Sequence, residues 1–291
     1  MDIVCNLPDQ VGESPVWSVA EQALWWVDIE GRRLHRFGWA TRAMASWPTA
    51  EMTGCIALHA QGGLLAAMET GVFHVQPQAD GTLAAKRLAG VAHAQGNMRF
   101  NDGRTDRAGR FWAGSMVRDM SLAAPAGALY RFTGAGLSAP VIEGLITPNG
   151  LGFSPDNRTM YLSDSHPGVQ RVWAFDLGED GEPGNRREFI DMNAYPGRPD
   201  GAAVDTDGAY WICANDAGLV HRFTPDGRLD RSIEVPVSKP AMCAFGGPDL
   251  QTLFVTSIRP ASPPPGQEHL AGALFATRPG AQGLPESPFK P

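Results

Sequence analysis

The chain has 291 residues, 43% of them hydrophobic and 19% charged, a composition that sustains a sizeable core and excludes a disordered, collagen-like or bare linker polypeptide. Lys and Arg number 24 against 31 Asp and Glu, a formal charge of -7, and no basic cluster offers a phosphate-tracking surface, so nucleic acid is not an expected partner. No apolar run approaches the roughly 18 residues that a membrane helix requires, and the start Met1-Asp2-Ile3-Val4-Cys5-Asn6 lacks a basic region followed by an apolar stretch. The expectation is a soluble cytoplasmic protein with no membrane partner. Cys5, Cys55, Cys213 and Cys243 are too dispersed for a metal knuckle and too few to staple a chain of this length, and read as buried free thiols.

Short runs rich in Val, Trp, Tyr and Phe alternate with Gly and Pro, and no long segment keeps a helical period, which predicts an all-β chain. In chain order, the runs group into six units of three strands. The first unit is Ser14-Pro15-Val16-Trp17, Leu24 to Asp28 and Leu34 to Phe37; the second is Cys55 to Leu58, Leu64 to Ala67 and Val72 to Val75. The third carries Phe111-Trp112-Ala113 and, after a longer loop, Ala128 to Phe132; the fourth runs Leu151-Gly152-Phe153, Met160-Tyr161-Leu162 and Val172 to Phe175. The fifth has Ala202 to Asp205, Tyr210 to Cys213 and Leu219 to Phe223, and the sixth Met242 to Phe245, Leu253-Phe254-Val255 and Ala273-Leu274-Phe275.

Second-strand centres fall at Trp25, Leu65, Trp112, Tyr161, Trp211 and Phe254, in steps of 40, 47, 49, 50 and 43 residues. That period is the size of a propeller blade. The reading is a six-bladed β-propeller of four-stranded blades forming one domain, residues 1–291. An outer fourth strand follows in each of the first five units, whereas a Gly- and Pro-rich tail follows Phe275. Asp2 to Leu7 is expected to supply the missing strand and close the ring, hiding two sheet edges at once.

In an up-and-down blade, the turn leading into the innermost strand and the loop between second and third strands share a face. Gly12-Glu13-Ser14-Pro15, Arg99-Phe100-Asn101-Asp102-Gly103, Pro148-Asn149-Gly150 and Pro199-Asp200-Gly201 occupy those leading positions in four blades. Asn-Gly and Asp-Gly are turn dipeptides that need no function. Here, though, the turns between first and second strands have their own residues, Asp156-Asn157 and Asp207-Gly208, so Glu13, Asn101, Asn149 and Asp200 form a second polar set in register. Two carboxylates with one or two amide oxygens make a hard site for Ca²⁺, Mg²⁺ or Mn²⁺, and less decisively for Zn²⁺ or Fe²⁺, with open positions for substrate or water. There is no HExxH helix, GxSxG elbow or Walker loop. His35, His74 and His221 sit at similar third-strand positions and read as sheet-surface residues, not ligands.

At these residues the sequence resembles the SMP-30/gluconolactonase family, which includes regucalcin and bacterial sugar lactonases. The most specific matches are Gly12 to Trp17, Arg99 to Gly103, Asp106 to Gly114, Thr147 to Leu151, Pro199-Asp200-Gly201 and Cys243 to Gly247. The resemblance implies a divalent ion on the propeller axis bound by Glu13, Asn149 and Asp200. It implies substrate contacts from Arg99 and Asn101, and Asp200 as candidate general base. Asp119 stands where regucalcin-like members carry a Glu, longer by one methylene, at a substrate-binding position.

The function this implies is metal-dependent hydrolysis of a pentose or hexose aldonolactone by a monomeric enzyme. The attacking water would lose its proton either to Asp200 or while bound to the ion. Two rival readings are a non-enzymatic calcium-binding or interaction propeller and a metal-dependent esterase or lactonase for apolar substrates. Long loops at Val117 to Gly127 and Ile258 to Gly272 are expected to gate the same face.

Overall fold

The β-branched and aromatic runs form strands because each finds a packed face on both sides. In the computed structural model, which describes residues 1–291, the strands assemble into six antiparallel sheets arranged as blades around an axis. Blade 1 comprises Gly12–Ser18, Ala23–Asp28, Arg33–Gly38 and Met44–Pro48, and blade 2 comprises Thr53–Leu58, Leu64–Met68, Gly71–Pro77 and Leu83–Gly90. Blade 3 comprises Met98–Thr105, Phe111–Val117, Gly127–Thr133 and two short pieces, Gly136–Leu137 and Ile142–Leu145. Blade 4 is Pro148–Phe153, Thr159–Asp164, Arg171–Leu177 and Pro183–Asp191, and blade 5 is Arg198–Val204, Tyr210–Asn215, Leu219–Phe223 and Leu229–Glu234. Helix is confined to two single 3-10 turns, Met120–Leu122 and Met192–Ala194.

Blade 6 takes Pro240–Gly246, Thr252–Ser257 and Leu274–Thr277 from the end of the sequence and Asp2–Cys5 from its beginning, with Ile3 paired to Phe275. The ring therefore closes through the N-terminal strand, as its missing partner required. One expectation needs correction. The outer strand of blade 3 is not continuous, because Pro140 has no N–H to give the ladder and splits it into two pieces that both pair with Gly127–Thr133.

Innermost and second strands are buried almost throughout, while outermost strands such as Met44–Pro48 alternate between exposed and half-buried positions. The aromatic residues that revealed the repeat fill the wedges between blades. Trp17 stacks on Phe254 at 5.8 Å between blades 1 and 6, and Tyr161 meets Tyr210 at 5.0 Å between blades 4 and 5. Trp211 stands edge-on to Phe245 at 5.7 Å between blades 5 and 6.

Two of the histidines expected on the sheet surface lie inside. His35 and His221 are buried, each with Nδ1 2.7 Å from a serine hydroxyl on the outer strand, Ser46 and Ser232. Asp9 Oδ1 lies 3.2 Å from His35 Nε2, and Pro196 O lies 3.0 Å from His221 Nε2. Polar partners within the blade make their burial tolerable. His74 is half-buried and stacks on His59 at 4.2 Å.

The Gly- and Pro-rich tail has a defined path. It crosses the face that carries the turns between first and second strands: Gly283 bridges to Asp205 in blade 5, Glu286 pairs with Arg104 at 3.3 Å, and Arg107 Nη1 donates to Pro285 O at 2.9 Å. Phe289 N then donates to Leu58 O at 2.7 Å, and the Phe289 ring enters the apolar cluster between blades 2 and 3.

Candidate active site

Each innermost strand loses register with its neighbour near the same end. Pairing passes from Glu13 to Val16 in blade 1, from Asn149 to Gly152 in blade 4 and from Pro199 to Ala202 in blade 5, leaving the residues between unpaired. In blade 3 it passes from Phe100 to Gly103, skipping Asn101 and Asp102. These are β-bulges, which bend a strand and re-aim its side chains. The polar set thus belongs to the strands themselves, not to turns leading into them. Local chemistry explains the bulges. Pro15 cannot donate to a ladder, and Ser14 and Gly150, each following a polar residue of the set, adopt left-handed φ of 50° and 60°. At Gly150 a Cβ would lie 2.5 Å from the Tyr210 hydroxyl, so only glycine fits.

The bulges converge on a cavity of ≈150 Å³. Glu13, Arg99, Asn101, Asn149 and Asp200 line it together. Asp119 is not among the lining residues: its exposed carboxylate accepts Ser121 N at 3.0 Å and Ser121 Oγ at 2.6 Å, capping the turn whose Met120 does face the cavity. Four further polar residues line the cavity that the sequence reading did not single out: Thr147, Ser165, Arg198 and Asn215. A signal for Arg198 was present, since Arg198-Pro199-Asp200 repeats the spacing of Arg99-Phe100-Asn101. Apolar closure comes from Val11, Met116, Met120 and Ile258, the last two from the long loops expected to lie on this face. A larger cleft of ≈410 Å³ between blades 4 and 5 lies on the opposite face, and its Arg187 and Asp207 are already bonded to Asp176 and Arg222.

The cavity is electrostatically strained. Glu13 is pushed well above the usual carboxylate range by burial, and then by the charges of Asp200 and Asp102. Asp200 is pushed up to about 7, again chiefly by burial, with Arg198 and a hydrogen bond from Asn215 opposing. Asp102 is also raised by burial, although its oxygens accept Gly103 N at 2.7 Å and Leu151 N at 2.8 Å, tying the bulges of blades 3 and 4 together.

Arg99 sets the amide orientations. Arg99 Nη1 donates to Asn101 Oδ1 at 2.7 Å, which leaves Asn101 Nδ2 to donate to Asn149 Oδ1 and Pro148 O, both at 3.0 Å. Arg99 Nε is buried without a partner. Asn149 therefore presents oxygen, not nitrogen, toward Asn101, with a lone pair to spare.

This donor set fits a divalent cation. Two buried carboxylates, the charge of Asp200 raising the proton affinity of Glu13, offer hard oxygen ligands beside an oriented amide oxygen, and a cation would relieve their repulsion. No group of three His, Cys, Asp or Glu side chains is arranged to hold a metal ion, and a set of two carboxylates and an amide would leave positions for other ligands.

Comparison with known proteins places the chain. Residues 11–259 match the SMP-30/gluconolactonase/LRE-like region, and the chain belongs to that family. It is 38% identical to 6-deoxy-6-sulfogluconolactonase of Pseudomonas putida, over 98% of this chain and 97% of the relative. It is 34% identical to the pentonolactonase XacC of Haloferax volcanii, over 98% and 95% of the two chains. Its fold superposes on a calcium-binding regucalcin from Agrobacterium tumefaciens with a TM-score of 0.91 at 27% identity, covering 100% of this chain and 97% of the other. These relatives indicate sugar lactonase activity on a small-molecule lactone. No helix is long and apolar enough to cross a membrane.

Proposed function

We propose that the protein hydrolyses five- or six-carbon aldonolactones to their sugar acids, with a divalent ion held by Glu13, Asn149 and Asp200. The observation that carries this reading is the seating of Arg99 and Asn101 in the same small cavity as those three oxygen donors. When bound, the ion supplies the electrophilic charge that polarises a lactone carbonyl and steadies the oxyanion.

The remaining chemistry belongs to side chains. Arg99 donates to ring and hydroxyl oxygens of the sugar, and Asn101, whose two Nδ2 hydrogens go to Pro148 O and Asn149 Oδ1, accepts from a sugar hydroxyl through its Oδ1. Thr147 and Ser165 add hydroxyls to the wall, while Met116, Met120 and Ile258 exclude bulk water from the reacting carbonyl. Asp200 is placed to take the proton of the attacking water and pass it to the ring oxygen, whose bond to the carbonyl carbon breaks as the lactone opens. Asp119 contributes indirectly, by capping the turn that carries Met120.

The test is a comparison of kcat/KM, corrected for spontaneous hydrolysis, on pentonolactones and on hexonolactones with and without an anionic group at C6, against an unsubstituted lactone of equal ring size. Protein loaded in turn with Ca²⁺, Mn²⁺, Mg²⁺, Zn²⁺ or Fe²⁺ is expected to prefer the hydroxylated lactones. Equal turnover of the unsubstituted lactone supports the apolar-lactonase reading instead. Ion binding without turnover of any lactone supports a calcium-binding scaffold.

A further inference from the structure

Asn215 ends the second strand of blade 5 and is almost completely buried against Asp200. Its Nδ2 donates to Asp200 Oδ2 at 2.6 Å. The two ends of an asparagine amide have nearly the same shape, so its neighbours decide which end faces the carboxylate. Arg198 decides here: Nη2 lies 3.4 Å from Asn215 Oδ1, and a guanidinium can only donate. Arg198 is itself held, by Nε on Asp216 Oδ2 at 2.6 Å and Nη1 on Ser165 O at 3.3 Å, and Asp216 is bonded in turn to Lys239.

We infer that Asn215, oriented by Arg198, is the positioning residue for Asp200, assigning Oδ2 to the protein and leaving Oδ1, which no protein donor reaches, to face the cavity. The arrangement parallels Arg99, Asn101 and Asn149: in both, an arginine two residues before a bulge position fixes an asparagine, and the asparagine orients an oxygen donor. Glu13 has no such asparagine and takes its bond from its neighbour's backbone, Ser14 N, at 3.1 Å. The inference rests on the proposed role of Asp200 as an ion ligand.

A positioning role and a purely electrostatic one predict opposite signs for Arg198. Removing a cation beside Asp200 should strengthen binding of another cation if charge alone matters. If Arg198 acts through Asn215, its loss should weaken that binding. The experiment is calorimetric titration of the full-length, metal-stripped protein with Mn²⁺ alone, together with the paramagnetic resonance spectrum of bound Mn²⁺. Asn215→Leu, with the same branching and unable to donate, is expected to weaken Mn²⁺ binding about 10- to 100-fold, as loss of an outer partner of a metal ligand does. Arg198→Leu, at a partly exposed site, is expected to weaken it by a smaller factor, and the double variant to bind no worse than Asn215→Leu. The spectrum should change in both single variants. Tighter binding by Arg198→Leu, or binding by Asn215→Leu within twofold of wild type, overturns the inference alone; wild-type protein that binds no Mn²⁺ overturns both it and the proposed function. Should Asn215→Leu not fold, the sign of the Arg198→Leu effect still decides.

Discussion

Phe289 offers a measure of how far the tail holds the ring together. Its ring is 1% exposed, stacks on Phe132 at 5.1 Å and meets His59 at 5.5 Å, so it touches blades 2 and 3 from a segment that leaves blade 6. Phe289→Ala removes that ring from a cluster containing Leu65, Phe111 and Phe132. Buried Phe→Ala substitutions cost about 3–5 kcal/mol, and a tail free to settle into the gap argues for the lower end, about 3 kcal/mol. With an unfolding entropy of about 2.1 cal/mol/K per residue, a chain of 291 residues loses roughly 1.6 °C in Tm per kcal/mol, so the midpoint should fall by about 5 °C. Scanning calorimetry of wild type and variant under one metal condition measures this directly, and a single transition in both is expected if residues 1–291 unfold as one unit. Because the tail crosses the face away from the cavity, kcat/KM at 25 °C should stay within about twofold. A midpoint shift below 1 °C would refute the packing argument, and a tenfold fall in kcat/KM would refute the separation of the two faces.

The buried carboxylates make metal-free stability depend on pH. Asp200 keeps its proton in the folded state up to about 7 whereas its ordinary value is 3.8, so between those values the folded chain binds more protons than the unfolded one. Denaturant titrations should therefore show metal-stripped protein gaining stability as pH falls from 8 to 5; a flat or opposite trend counts against this burial. Asn101→Ala should lower kcat/KM on hydroxylated lactones by about 10- to 100-fold, the equivalent of an unpaired buried polar group of 1–3 kcal/mol, and on an unsubstituted lactone by clearly less. Equal losses on both would remove Asn101 from polyol recognition. Deleting Met1 to Leu7 exposes the edge of Leu274–Thr277 and should produce concentration-dependent aggregation by light scattering, whereas a monodisperse truncation would show that the edge is protected by other means.

The blades were legible because their second strands put Trp, Tyr, Phe or Leu at one recurring position, and packing between blades needs bulk there. The closing strand was legible by elimination, since Asp2–Cys5 had no other sheet to join. The bulges were not, because Asn-Gly and Asp-Gly pairs serve turns and bulges alike, both using backbone conformations that glycine permits. His35 and His221 looked like surface residues by strand position; the serines that satisfy them sit 11 residues away on the outer strand, a distance at which pattern carries no signal. The tail was illegible for a related reason. It has no period, and its contacts, such as Arg107 with Pro285, join residues 178 apart. Asn215 could have been found by asking which second strands end beside a bulge, because the topology brings those ends to the cavity face.

The bulges recur in all six innermost strands, in blade 2 between Thr53 and Cys55 and in blade 6 between Pro240 and Cys243. Asn101 and Asp200 are among the residues the ladder skips, whereas Glu13 and Asn149 are the last paired residues before the bulges of blades 1 and 4. Blade 2 skips Gly54, and blade 6 skips Ala241 and Met242, which bring no charge. The two uncharged bulges are packed shut, since a Cβ on Gly54 would lie 2.3 Å from Phe100 O and the buried Met242 sits against Gly201, so these two blades close the ring by packing and leave the chemistry to the other four.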